Sequence, residues 1–335
     1  MNSFTLRPVR LARLALALLV ALSGAACTPR TPAQPGLARV VFDTDTNNEL
    51  DDQHALAYLL FNADRWNVLG VTTNDTANGG GIASQTAEAE RVVRLCGAGR
   101  RVRVYSGAAD RFEEIRPHLG EASYDGKEAV EFLVAQARAS SEQDKLVVLA
   151  VGKLTNVALA LAADPSIAPR MRVIWLGGNW PDPGEYNFDN DPPSAGLVVD
   201  APVALDVVTV RYGKPTGTAA VTASVDEIRK RMPGLGPHVS PPVTGRHGGS
   251  FASFGDYSLS LFEHSGDRER ALFDMAAVAV FKNPSWARWS TVPAPRVAGN
   301  GWVERPQNPR TIRFVTDFDR AAIIGDFYAT MERAK

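Results

Sequence analysis

The sequence predicts an α/β fold: a single domain with a mainly parallel sheet flanked by helices. Three observations predict it. From Arg39 onward, short β-branched runs alternate with helix-period stretches, the pattern of strands that each return through a helix. Some runs, such as Leu146-Val147-Val148-Leu149-Ala150-Val151, are apolar at every position, as strands covered on both faces must be. The chain has 335 residues, 45% of them hydrophobic, enough for one sizeable core.

Residues 1–26 stand apart from that alternation. Arg7, Arg10 and Arg13 precede an apolar stretch at 14–22, and Ser23-Gly24-Ala25-Ala26 and Cys27 follow. This is the layout of an export signal, and its apolar run is too short for a comfortable spanning helix. Cys27, directly after Gly-Ala-Ala, resembles the lipid-bearing first residue of a processed lipoprotein. The expectation is therefore an exported protein whose only membrane attachment is a lipid on Cys27, or else a secreted one. Residues 27–38, rich in Pro, Thr and Ala, read as a tether, and 39–335 as the domain. With Cys27 lipidated or removed, Cys96 has no disulfide partner, and it reads as a packing residue in an apolar helix.

In order along the domain, strands are predicted at 40–42, 68–73, 102–105, 146–151, 173–176 and 203–210. Helices are predicted at 52–61, 82–95, 128–139, 154–162 and 194–199. Asp164-Pro165 and Pro169 end one helix, and Gly177-Gly178 ends a strand. Beyond Thr209 the pattern changes. Gly- and Pro-rich loops at 213–217 and 233–249 lead to helices at 251–263 and 273–281. Short strands follow around Val303 and at 311–315, then a last helix at 321–335. The result is a Rossmann-like sheet, in which ligands bind beyond the carboxyl ends of the strands. A formal net charge of −1 argues against nucleic acid as a partner, because phosphate binding needs a basic face. Arg91, Arg94, Arg100, Arg101 and Arg103 read as a solvated helix end and loop.

One strand end carries the chemistry. The strand 40–42 runs into Asp43-Thr44-Asp45-Thr46-Asn47-Asn48-Glu49-Leu50-Asp51-Asp52 and then a helix. Four aspartates and a glutamate at one corner repel one another at neutral pH unless something positive sits among them. A hard divalent cation, Ca²⁺ or Mg²⁺, suits such oxygen ligands. The plainer alternative is that Asp51 or Asp52 caps the helix and the rest face water.

Asp43-x-Asp45 with Asp51-Asp52 and an Ala-Leu helix resembles the N-terminal signature of the inosine-uridine-preferring nucleoside hydrolase family. Three later segments are similar in order and local sequence: Gly70-Val71-Thr72-Thr73, Val151-Gly152-Lys153-Leu154-Thr155-Asn156, and 176–192 with Glu185-Tyr186-Asn187 and Asp191-Pro192. The resemblance covers roughly Val40 to Phe281 and implies the nucleoside hydrolase fold. It implies Ca²⁺ held by Asp45, Asp52, Asp274 and the backbone carbonyl of Val151, where a Val is no obstacle. It also implies Asp45 as general base, Asp51, Asn179, Glu185 and Asn187 on the ribose hydroxyls, and Asp43 orienting the other aspartates. Asn74 and Asn78 compete for a further ribose contact. The implied reaction is hydrolysis of the N-glycosidic bond of a nucleoside or related ribosyl compound, and the implied assembly a homo-oligomer. Asn187 and Asn179 also read as turn residues, and Asp274 as a helix cap.

The chain departs from the pattern at Phe273, where many members of the family carry a His that protonates the leaving base. His247, His264, His54 and Tyr257 are the other candidate acids, and Phe273 or Trp180 would instead stack on the leaving group. Two rival readings stay open. One is a lipoprotein that binds a ribosyl ligand without turnover. The other is a phosphatase of the haloacid-dehalogenase type, which Val41-Phe42-Asp43-Thr44-Asp45-Thr46 also resembles.

Overall fold

A computed structural model describes Met1 and residues 36–334. The export-signal reading, Cys27 and most of the tether lie outside the described residues. Eight strands form the central sheet: β1 Ala38–Thr44, β2 Trp66–Thr73, β3 Val104–Tyr105, β4 Leu146–Ala150, β5 Met171–Leu176, β6 Ala204–Val208, β7 Arg288–Pro293 and β8 Thr311–Thr316. Their order across the sheet is β7-β8-β6-β5-β4-β1-β2-β3. Every neighbouring pair is parallel except β7 with β8. The predicted α/β class holds, with two refinements. The stretch 102–105 contributes only Val104 and Tyr105 to the sheet edge. The antiparallel edge strand β7 was not predicted, because half-exposed Arg-Trp-Ser-Thr carries no apolar run.

The two faces of the sheet are sorted by the period of two. Val40, Phe42, Val147, Leu149, Ile174 and Leu176 point into one core with the helices α1 Leu50–Leu60, α2 Ile82–Leu95, α6 Phe254–Ser265, α7 Phe273–Lys282 and α8 Arg320–Arg333. Val41, Val148, Ala150, Val173 and Trp175 point into the other, with α3 Lys127–Arg138, α4 Thr155–Ala163 and α5 Pro192–Asp200. Helix α1 is buried along its whole length, which explains why its sequence lacks a polar face. Because β1, β2, β4 and β5 are parallel, their carboxyl ends open on one side of the molecule, and β1 lies between β2 and β4. The acidic loop after β1 is therefore central rather than peripheral.

Candidate active site and metal centre

The site is built outward from Asp43, the next-to-last residue of β1. It is fully buried and surrounded by neutral donors. Thr72 of β2 and Asn156 of α4 donate to one carboxylate oxygen, at 2.6 and 2.7 Å, and Asn74 donates to the other at 3.1 Å. Burial raises its pKa to about 7 in spite of these bonds. Asn156 does more than hold Asp43. Its amide also donates to the Thr73 carbonyl at 2.8 Å and accepts from the Ala108 N–H at 2.9 Å. One side chain thus ties the ends of β1 and β2 to the loop after β3. Thr155 beside it donates to Asp191, which caps α5 and accepts the Phe112 N–H. The matching segments of the sequence are in large part the fasteners of this end of the sheet.

In front of Asp43 lie the carboxylates of Asp45, Asp51, Asp52 and Asp274, each 4% exposed or less. Asp51 and Asp52 occupy the first turn of α1, whose N-cap is Glu49 without a side-chain cap bond. Asp274 occupies the first turn of α7, and its N–H donates to Asp51 at 3.4 Å. Two helix N-termini therefore converge on the cluster, and their dipoles favour negative charge there. The reading of these aspartates as water-facing caps is not what the structure shows. One carboxylate oxygen each from Asp51, Asp52 and Asp274 lie within 4.8 Å of one another. Thr44 donates to Asp52 and Thr76 to Asp45, each at 2.5 Å. Burial, then repulsion from neighbouring carboxylates, pushes Asp52 and Asp274 well above the usual carboxylate range. Burial raises Asp45 to about 6, and burial with the nearby Glu49 raises Asp51 to about 7. Buried, mutually repelling carboxyl oxygens of this kind fit a hard divalent cation.

The remaining floor comes from the ends of β4 and β5. Val151 takes the Asp43 carbonyl through its N–H at 2.7 Å, and its own carbonyl accepts the Asn187 amide at 2.9 Å. A side chain at Gly152 would lie 2.6 Å from Asn74 Oδ1 and 3.0 Å from Asp45 Oδ1, so the close approach of β4 to the aspartate loop requires glycine there. Glu185 sits at φ 146°, a conformation rare for any residue with a side chain. Its carboxylate is fixed by three backbone N–H groups, of Gly178, Asn187 and Phe188, at 2.8–3.1 Å. Burial still raises it to about 7.

These residues line a cavity of about 420 Å³, a size suited to a small molecule. Asp45, Asp51, Asp52, Val151, Glu185, Asn187 and Asp274 all face it, and so does Asn78. Asn74 does not line it and serves Asp43 instead. Asn179 is not brought into the site either. Its amide turns back to the Pro183 carbonyl at 3.4 Å, within a tight 179–182 bridge.

The rim was largely missed from sequence. Tyr186, Tyr212, Asp267, Glu269 and Arg270 join Glu49 and Phe273 there. Arg270 pairs with Glu49 and Asp267, and Tyr212 meets Phe273 edge-on at 6.0 Å between ring centres. Nothing in the local sequence marks Tyr212 or Arg270, because loops far apart in the chain bring them together.

None of the four proposed acids lines the cavity. His54 is a core residue, bonded to the Leu50 carbonyl and Ser258 and packed by Phe254, Phe262 and Phe327. Burial lowers its pKa to about 4. His247 and His264 stack on each other, and Tyr257 donates to Glu88. Trp180 stacks on Phe314 at 4.4 Å rather than facing the site. Asp43 also fails as a phosphatase nucleophile, because it lies behind the floor with both oxygens engaged.

A mainly parallel sheet with an acid-floored cavity at its carboxyl end defines an α/β architecture whose site fits a divalent cation. The family description "inosine-uridine preferring nucleoside hydrolase" matches residues 40–324. The chain belongs to this family. It is 30% identical over 200 residues to probable uridine nucleosidase 2 of Oryza sativa subsp. japonica, an alignment that covers 52% of this chain and 57% of that protein. It is 36% identical over 90 residues to the pyrimidine-specific ribonucleoside hydrolase RihA of Shewanella baltica, covering 24% and 28% of the two chains. The chain thus aligns with little more than half the length of the first of these relatives. The fold is that of a plant nucleoside hydrolase (TM-score 0.65, 18% identity, 88% and 99% of the two chains). A purine-preferring ribonucleoside hydrolase from Gardnerella vaginalis shares it as well (TM-score 0.64, 18% identity, 88% and 98%).

Proposed function

We propose that this protein hydrolyses the N-glycosidic bond of ribonucleosides or a closely related ribosyl compound, with Ca²⁺ held by Asp45, Asp52, Asp274 and the carbonyl of Val151. The observation that carries this reading is the gathering of Asp45, Asp52, Glu185, Asn187 and Asp274, from three separate segments, around one cavity. A cation held there would supply Lewis-acid chemistry, lowering the pKa of a water beside Asp45. Asp45, oriented by Thr76, takes the proton from the attacking water. The water oxygen bonds to C1′ as the electron pair of the C1′–N bond leaves with the base, through an oxocarbenium-like state. Asp51, Glu185 and Asn187 hold the sugar hydroxyls, and Asn78 closes the same side. Glu185 suits this role because its carboxylate is immobilised by backbone donors before substrate arrives. Export, with or without a lipid on Cys27, would place this activity outside the cytoplasm, the reading that 1–27 supports.

The test is ribose release from inosine and uridine, with Ca²⁺ and after chelation. Release is expected only with the cation, and Asp45→Ala should lower it by about 10²–10⁴-fold. Tight ribosyl binding with no release would instead support the binding-only reading.

A further inference from the structure

The floor of the cavity holds the sugar and the water, so the leaving group must face the rim. That rim has an unusual composition. Two aromatic rings, Tyr212 and Phe273, stand there edge to face, 49% exposed in the case of Tyr212. Three carboxylates, Glu49, Asp267 and Glu269, stand around them, each on a side chain about half exposed. Arg270 at the rim is bound by two of those carboxylates and Arg320 stands 3.6 Å from the third, Glu269, so three carboxylates meet two cations and the local charge stays negative.

The same rim is poor in groups acidic enough to protonate a departing base. Among the described residues, no His lines the cavity. The Tyr186 oxygen accepts the Asn78 N–H and keeps its own proton, but burial raises both the Tyr186 and Tyr212 phenols above their usual range, so each is a weak acid. A neutral base that departs as an anion needs protonation at the moment the bond breaks. A base that already carries a positive charge does not.

Resting on the hydrolase reading above, we propose that the substrate is a nucleoside whose base bears a fixed positive charge, such as an N-ribosyl pyridinium or an N7-alkylated purine nucleoside. The acidic rim attracts the charge, and the faces of Tyr212 and Phe273 receive the cationic ring. The chemistry balances without an acid. Water supplies the oxygen for C1′ and gives one proton to Asp45. The electron pair of the C1′–N bond returns to the ring nitrogen, and the base leaves as a neutral molecule. Arg270, paired with Glu49 and Asp267, offsets part of this negative charge without cancelling it.

Two measurements on the full chain test this. In the first, nicotinamide and N-methylnicotinamide compete with uridine hydrolysis. They differ by one methyl group and one charge, and neither has a glycosidic bond, so intrinsic lability plays no part. N-methylnicotinamide is expected to inhibit about tenfold more tightly, and the advantage should shrink as salt rises. In the second, ribose release from nicotinamide riboside is compared with release from uridine. The cationic nucleoside should have the higher kcat/KM by at least about tenfold, and Phe273→Leu should lower that ratio, a loss of the ring and not of any hydroxyl. Equal inhibition by the two amides, or uridine cleaved as well as the cationic nucleoside, overturns this inference and leaves the hydrolase reading intact. No ribose from any substrate overturns the hydrolase reading itself.

Discussion

The floor and the rim of the cavity are held by different means. On the floor, Asp45, Asp51, Asp52, Glu185, Asn187 and Asp274 are each 5% exposed or less. They sit at strand ends and in the first turns of helices, and most are tied by hydrogen bonds to backbone or to buried hydroxyls. At the rim, Glu49, Tyr212, Asp267 and Glu269 are exposed and belong to loops and a short strand pair. Buried, hydrogen-bonded groups are costly to move, whereas solvated loop residues are not. On the proposed reading, the sugar site would thereby be fixed by the fold, while the choice of leaving group would rest with residues that substitution can change without unfolding the chain.

The largest expected effect tests the rigidity of the floor. Burial raises Asp43, Asp51 and Glu185 to about 7 and Asp45 to about 6. Between about pH 4 and 7 the folded, chelated protein therefore holds protons that the unfolded chain has released. Its stability is fully present below about pH 4 and is lost as pH rises through the folded values. For Asp43 alone this amounts to roughly 4 kcal/mol across the window. Ca²⁺ should reverse the share that comes from Asp45, Asp51, Asp52 and Asp274, by about 2.7 kcal/mol at a hundred times its Kd. Urea melts at pH 5 and 8, with chelator and with Ca²⁺, read this directly. If Ca²⁺ stabilises no more at pH 8 than at pH 5, the floor is not a cation site.

The same contrast explains what could be read in the sequence. The aspartate loop, the Val151 to Asn156 turn and Glu185-x-Asn187 were legible because each is a local cluster at the end of an apolar strand. The fold was legible because parallel strands buried on both faces leave long apolar runs. His54 misled because it lies two residues beyond Asp52. Two residues along a helix turn a side chain by about 200°, which points it away from the cavity and into the aromatic core. Asn179 reads both ways because Gly-Gly-Asn is as good a turn as it is a site. Tyr212 and Arg270 left no local signal, since their role depends on where long loops land.

A smaller effect is expected from Asn156→Ala, which probes the fasteners behind the floor. It removes donors to Asp43 and the Thr73 carbonyl and leaves the Ala108 N–H unpaired in the interior. Unpaired buried groups cost about 1–3 kcal/mol each. A loss of about 3 kcal/mol in urea unfolding is expected, with activity falling as Asp43 loses its place. If activity falls while stability holds, Asn156 acts on substrate rather than on the sheet, and the division between floor and fasteners is misplaced.

The smallest effect belongs to the rim, and it is the sharpest check on the comparison. Arg270 pairs with Glu49 and Asp267, whose side chains are 45% and 49% exposed. Pairs this open to solvent contribute little, in the range of about 0–1 kcal/mol. Arg270→Gln should therefore shift the unfolding free energy by less than about 1 kcal/mol and leave the Ca²⁺ response of the floor unchanged. What it should change is charge, by removing the cation that offsets part of the acidic rim. The KM of a cationic nucleoside should fall, and that of uridine should stay nearly constant, with both effects screened by salt. If Arg270→Gln instead destabilises the protein as much as Asn156→Ala, the rim is as much a part of the scaffold as the floor, and leaving-group choice is not separable from the fold.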